Sequence, residues 1–293
     1  MAFQKTKYHL LALVVAMIWG TTFISTKLLL ISGLSPEDIF FFRFALAYVT
    51  ICFVQKNPLF AKNWRDEMRF LLLGITGGSA YFLTENFALH ITQASNVSLI
   101  VCTNPLLTLI FSHIFLQNEK LNRRVIQGSL LALLGMAMVV FNGQFLLQLN
   151  PVGDLLSFLA AFSWACYTIL LKRISHRYPI LLITRKVFFY GLLTILPLLV
   201  VRPFTTDPAI LFQPIVYLNL LFLGIAASLL CYFFWNAAIK HLGAVKTTNY
   251  VYIIPMITLI AASLILDEKI TVFAIIGMMM ILAGLFWAEK RYR

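Results

Sequence analysis

Ten times along its 293 residues the chain runs for about twenty positions with almost no charge, the length a helix needs to cross a hydrocarbon layer of roughly 30 Å. The runs fall close to 9–31, 36–55, 68–89, 95–117, 122–142, 152–172, 180–201, 214–238, 245–266 and 270–289. A water-soluble domain is excluded, because 61% of the residues are hydrophobic and 12% charged, too few polar side chains to cover a wet surface. The predicted fold is an all-α polytopic membrane protein with ten transmembrane helices. Residues 10–18, behind Lys5 and Lys7, imitate a signal peptide, but no small-residue cleavage site follows, so they are read as part of the first helix.

The formal charge of +12 invites a nucleic-acid reading, which the position of the charges argues against. If the N-terminus is cytoplasmic, all 23 Lys and Arg fall in or beside inner loops except Lys27, Arg43, Arg202 and Lys269. That asymmetry is the positive-inside distribution, and it predicts a cytoplasmic (inner) membrane protein with both termini in the cytoplasm. The excess charge then meets anionic lipid head groups, and the expected partners are the bilayer and a small-molecule substrate.

The chain also repeats itself. A shift of 150 residues superposes Leu73-Gly74-Ile75 on Leu223-Gly224-Ile225, Asn86 on Asn236 and Pro105 on Pro255. At a shift of 145, Trp19 falls on Trp164 and Lys27 on Lys172. Two repeats are expected, 9–142 and 152–289, each of five spans. Since five is odd, the second enters the bilayer upside down relative to the first. Inverted repeats of this kind are the architecture of alternating access, with a substrate site at the midplane between the halves.

The residues at equivalent places carry a resemblance. One helix ends in Ala88-Leu89-His90 and its counterpart in Ala238-Ile239-Lys240; Pro105 and Pro255 follow; turns at Leu116 to Glu119 and Leu266 to Glu268 precede a glycine-spaced last helix; and Trp19 leads the first. In these features the whole chain resembles the EamA-like branch of the drug/metabolite transporter superfamily. The resemblance implies ten helices, cytoplasmic ends, a central cavity, and export of amino acids or related small metabolites, commonly exchanged against protons. It implies that the paired glutamate turns mark the fold and do not bind substrate.

A charge inside a span costs about 2.5–3.5 kcal/mol at the bilayer centre, so each requires a reason. Glu85 is the only acid well inside a span, roughly 6 Å below the outer boundary by helical rise, and Arg43 falls at a similar depth. Glu85 is a candidate for proton coupling and for binding a substrate ammonium group; alternatively it is half of a structural pair with Arg43, or snorkels to the surface. Lys27 and Lys172 read as snorkelling groups.

The duplicated tryptophans suggest a pocket. Thr22, Phe23 and Thr26 share a face with Trp19, as Tyr167, Thr168 and Leu171 do with Trp164, and two such stripes can line one cavity from opposite sides. Interhelical packing or interfacial anchoring explains them equally. Tyr81, one turn before Glu85, and Trp235 extend the candidate binding surface; Asn96, Thr103 and Tyr252 add polar groups that lipid cannot satisfy. Pro105 and Pro255 each remove a backbone hydrogen bond near mid-membrane and are candidate hinges, with static kinks as the alternative. Gly128 with Gly135, and Gly277 with Gly284, mark close helix packing within one chain or at a homodimer contact; either a monomer or a homodimer is compatible with the sequence.

Enzyme chemistry is not expected. The chain has no HExxH, GxSxG or phosphate loop, its five histidines lack metal-ligand spacing, and its four cysteines form no CxxC pair, so neither a metal nor a cofactor is implied. The leading expectation is a secondary active exporter; the alternatives are an anionic-metabolite exchanger using Arg43, Lys27 or Arg185, a lipid flippase of the same fold, and a non-transporting scaffold.

Overall fold

The computed structural model describes residues 2–55, 60–61, 63–92, 94–116, 123–141, 150–204, 206–266 and 270–289. Among them all regular structure is helical, as hydrophobicity without a period-two alternation requires. Six segments are long and apolar enough to cross a membrane: Thr6–Ile31, Val97–Phe115, Pro151–Ile174, Ile180–Val201, Pro214–Leu242 and Ala244–Ala261, with Val272–Ala288 shorter but apolar. The other expected runs, 36–55, 68–89 and 122–142, are helical over most of their described residues. The glutamate turns, with Glu119 and Glu268, lie outside the described residues.

The first half contains α1 (Ala2–Ile31), α2 (Pro36–Val54), α3 (Trp64–Gly74), α4 (Ala80–Ile91), α5 (Ala94–Val101), α6 (Asn104–Phe115) and α7 (Arg123–Phe141). The second contains α8 (Pro151–Ile174), α9 (Ile180–Val201), the short α10 (Pro208–Leu211), α11 (Pro214–Leu221), α12 (Cys231–Leu242), α13 (Ala244–Thr248), α14 (Ile254–Leu266) and α15 (Val272–Glu289). Local chemistry sets several ends. Gly33, at φ 99°, ends α1, with its own N–H bonded to Leu30 O and the Leu34 N–H reaching back to Leu29 O. Ser35 Oγ accepts from the Asp38 N–H ahead of Pro36, and Asn150 Oδ1 accepts from the Gly153 N–H ahead of Pro151, so α2 and α8 open with the same cap-then-proline device.

Two helical runs widen in mid-course into π-helix. Ile75–Ser79 joins α3 to α4, and Phe222–Leu230 joins α11 to α12. Both widened turns are rich in Gly, Ala and Ser and admit close neighbours: a Cβ on Gly77 would collide with the ring of Tyr167, and one on Gly224 with Leu46.

The two prolines differ from the sequence expectation. Neither sits inside a continuous α-helix. Pro105 opens α6 after a break at Cys102 and Thr103, and Pro255 stands in the first turn of α14 after the 3-10 segment Asn249–Ile253. A proline N–H is not needed in a first turn, so the chain breaks before the ring and spares a hydrogen bond.

The glycine pairs meet within the chain. Gly128 faces Gly284, and Gly135 faces Gly277, along an antiparallel α7–α15 seam where an added Cβ would lie about 2.5 Å from the opposing carbonyl. Elsewhere α1 lies along α12 and α14, α8 along α4 and α6, α2 along the widened turn at 222–230, and α9 along α3 and the turn at 75–79. The largest buried cluster fills the space between these helices, and many apolar side chains, such as Val200 and Phe286, face outward as lipid demands.

Candidate functional site

The middle of the bundle holds a cavity of about 40 Å³. It has room for roughly three waters, so a metabolite-sized ligand requires a wall to move. α1 supplies Trp19, Thr22 and Phe23, α2 supplies Arg43, α4 supplies Tyr81, Phe82 and Glu85, and α8 supplies Trp164. Val101 ends α5, Cys102 stands in the break before Pro105 and Asn104 opens α6, while Val251 comes from the 3-10 segment before Pro255 and Ile254 opens α14.

The duplicated tryptophans meet edge to face, with ring centroids 5.3 Å apart and planes at 86°. Trp19 is fixed by an Nε1–H bond of 3.0 Å to Ala227 O in the widened turn and by Trp235 behind it, 4.8 Å between centroids. Trp164 lies 4.8 Å from the Tyr81 ring and 5.1 Å from that of Tyr167. Thr22 caps its own turn, donating to Trp19 O at 2.8 Å.

Of the residues singled out by sequence, Trp19, Thr22, Tyr81, Glu85 and Trp164 share the cavity. Tyr167, Trp235 and Tyr252 are fully buried behind its walls. Tyr167 donates to Asn236 Oδ1 at 2.6 Å, and Asn236 in turn donates to Thr184 Oγ1 at 3.0 Å, a chain that ties α8, α12 and α9. Thr103 donates to Ile100 O at 2.6 Å, closing the turn before α6, next to the lining but outside it. Asn96 belongs to α5, and its side chain lies outside those described.

Arg43 and Glu85 do not form the ion pair that their depth suggested: no contact within 4.0 Å joins their charged atoms. Arg43 is 2% exposed, donates from Nε to Ser228 Oγ at 3.0 Å, and lays its guanidinium over the Phe82 ring at 4.1 Å. Glu85 is 8% exposed and accepts from Tyr81 OH at 3.1 Å through Oε1. The other cations are engaged elsewhere. Lys27 donates to Leu89 O and Lys172 to the carbonyls of Ile239 and Lys240, so both satisfy helix ends and do not simply snorkel; Arg185 donates to Gln55 O.

Sequence reasoning missed Phe82, Val101, Cys102, Val251 and Ile254 as lining, and Tyr232 behind them. One signal was present: Phe82 and Tyr232 are equivalent at the 150-residue shift. A second signal lies at the start of α2 and α9. Arg43 follows Pro36, and Lys186 follows Pro179, by the same seven residues, so the two halves carry a cation at one equivalent place. Arg43 faces the cavity, whereas Lys186 forms a buried pair with Glu67 at 2.5 Å, over the Phe70 ring. Tyr190 OH and the Ala61 N–H also donate to Glu67.

Beside this pair, at the start of α3, Asp66 accepts from Arg69 and Tyr178 and lies 3.6 Å from Arg177. Burial alone would raise its pKa, but the hydrogen bonds from Tyr178 and Arg69 prevail and hold the carboxyl below its ordinary value. Its stabilisation is complete above the unfolded-state pKa and is lost as pH falls through the lowered one.

Comparison with known proteins agrees with this architecture. The chain is 27% identical to an uncharacterized transporter of Archaeoglobus fulgidus, covering 97% of both chains. It is 26% identical to a probable amino-acid metabolite efflux pump of Escherichia coli, over 97% of this chain and 95% of that one. A crystal structure with 16% identity superposes at a TM-score of 0.80 over 97% of this chain and 98% of the other, which shows a shared fold. The model of the EamA-like transporter family matches twice, at residues 6–141 and 151–288, and the chain therefore belongs to the EamA-like transporter family, as a multi-pass membrane protein.

Proposed function

We propose that the protein is a secondary active exporter of amino acids or related small metabolites across the cytoplasmic membrane. In this reading ten spans form two inverted repeats, 9–142 and 152–289, with both termini in the cytoplasm and the cavity between Trp19 and Trp164 as the substrate site of an alternating-access cycle. The observation that carries the proposal is the cavity itself: an aromatic chamber lined by equivalent helices of the two halves, with one buried cation and one buried anion on its walls.

Reciprocal packing supports a two-fold relation between the halves, and the antiparallel seam of the equivalent helices α7 and α15 supports its inversion. α1 lies on α12 and α14 as α8 lies on α4 and α6, and α2 rests on one widened turn as α9 rests on the other. Exchange of the halves leaves this contact pattern unchanged. The charge asymmetry of the loops supports the orientation, and the amino-acid efflux named for the Escherichia coli relative supports the substrate class. Glu85, the acid on the cavity wall, serves as the proton-coupling group, and the breaks before Pro105 and Pro255 serve with the widened turns as hinges.

Counterflow in proteoliposomes tests the reading. Vesicles preloaded with an amino-acid mixture are expected to accumulate labelled amino acid, and Trp19→Ala or Trp164→Ala to slow that uptake roughly ten-fold by removing an aromatic wall. Uptake at the wild-type rate in both variants would remove the cavity from the transport path. In the Glu85→Gln protein, a pH gradient is expected to lose its effect on the flux while counterflow continues; a retained gradient response would take the proton role away from Glu85.

A further inference from the structure

The two charges in the cavity are incompletely satisfied, and in complementary ways. A guanidinium offers five N–H donors. Arg43 uses Nε on Ser228 and one ring face on Phe82, and neither Nη nitrogen has a protein acceptor, although the residue is 2% exposed. Glu85 accepts one hydrogen bond, at Oε1, and its second oxygen has no protein donor. On the same lining, Asn104 Oδ1 is buried without a partner.

Carrying an unpaired charge inside a membrane protein is expensive, and two opposite charges in one cavity have an obvious remedy in pairing with each other. Arg43 and Glu85 feel each other's charge across the cavity, but Ser228 and Phe82 on one side and Tyr81 on the other hold their charged atoms out of contact. A ligand with a single charge would satisfy one pole and leave the other bare. A zwitterion satisfies both.

Resting on the exporter reading, we infer that Arg43 and Glu85 form a two-pole clamp for the head group of a neutral α-amino acid. The Arg43 Nη atoms donate to the α-carboxylate, which a guanidinium fork suits. The free Glu85 oxygen and Asn104 Oδ1 accept from the α-ammonium. Trp19, Trp164 and Phe23 meet the side chain and give the site its preference for bulky apolar groups. Specificity then follows from what an incomplete ligand leaves unpaired, a stronger discriminator than pocket size.

Thermal-shift and calorimetric titration of the purified full chain in nanodiscs tests the clamp. The standard amino acids are screened first, and the best neutral binder is compared with its carboxamide, its decarboxylated amine and its deaminated acid. Each one-pole analogue is expected to bind at least about ten-fold more weakly. Arg43→Gln is expected to bind amino acid and carboxamide alike, and Glu85→Gln to bind amino acid and deaminated acid alike, each variant losing discrimination at its own pole only. An analogue that matches the amino acid on the wild-type protein, which needs no variant to fold, would overturn the clamp, as would full discrimination in Arg43→Gln. Counterflow separates the two ideas: transport of a solute without zwitterion preference sinks the clamp and leaves the exporter standing, and no counterflow with any solute sinks both.

Discussion

A Lys186→Met variant is expected to lose about 3 kcal/mol of stability, read as a lowered unfolding midpoint in micelles. Lys186 is fully buried, its Nζ 2.5 Å from Glu67 Oε1, and it is the only cation within salt-bridge range of that carboxylate among the described residues. Removing it leaves Glu67 with the Tyr190 hydroxyl and the Ala61 N–H, two hydrogen bonds and no countercharge. The double replacement Lys186→Met with Glu67→Gln deletes both charges and is expected to recover most of the loss. If the double variant is as unstable as the single one, the contact of the lysine tip with the Phe70 ring matters and the pairing with Glu67 does not.

Gly135→Leu is expected to be comparably damaging, by about 3 kcal/mol, through a different cause. The α7–α15 seam runs so close that even a methyl group on Gly135 would sit against Gly277 O and the Ile281 backbone. Backbone cannot yield as a side-chain tip can, so the helices must separate, and Ala132, Met136 and Ile281 lose their buried contacts together. Gly135→Ala should show part of the loss. A Leu variant with the wild-type unfolding midpoint would mean that the seam opens freely in the membrane.

Helix positions were legible because lipid enforces them: a run of about twenty apolar residues has few alternatives to a spanning helix. The meeting of Trp19 with Trp164 was legible because the chain writes its unit twice, and the Tyr81–Glu85 hydrogen bond follows from one helical turn of separation. Arg43 meeting Ser228 was not, since those residues are 185 positions apart and no local pattern links them. The widened turns at 75–79 and 222–230 were also hidden, because Gly, Ala and Ser in a membrane helix read as close packing whether the turn is regular or not. The burial of Tyr167, Trp235 and Tyr252 behind the cavity is not legible either, because sequence spacing fixes a helix face but not the depth of the layer behind it.

The widened turns have one more implication. Trp19, from the first half, holds Ala227 O in the second; Tyr232 and Ser163, from the second half, hold Gly77 O and Thr76 O in the first. Each half thus bonds to the widened turn of its sibling. Neither stretch can change its path without giving up a hydrogen bond from the opposite half, which ties its position to Trp19 on one side and to Ser163 and Tyr232 on the other.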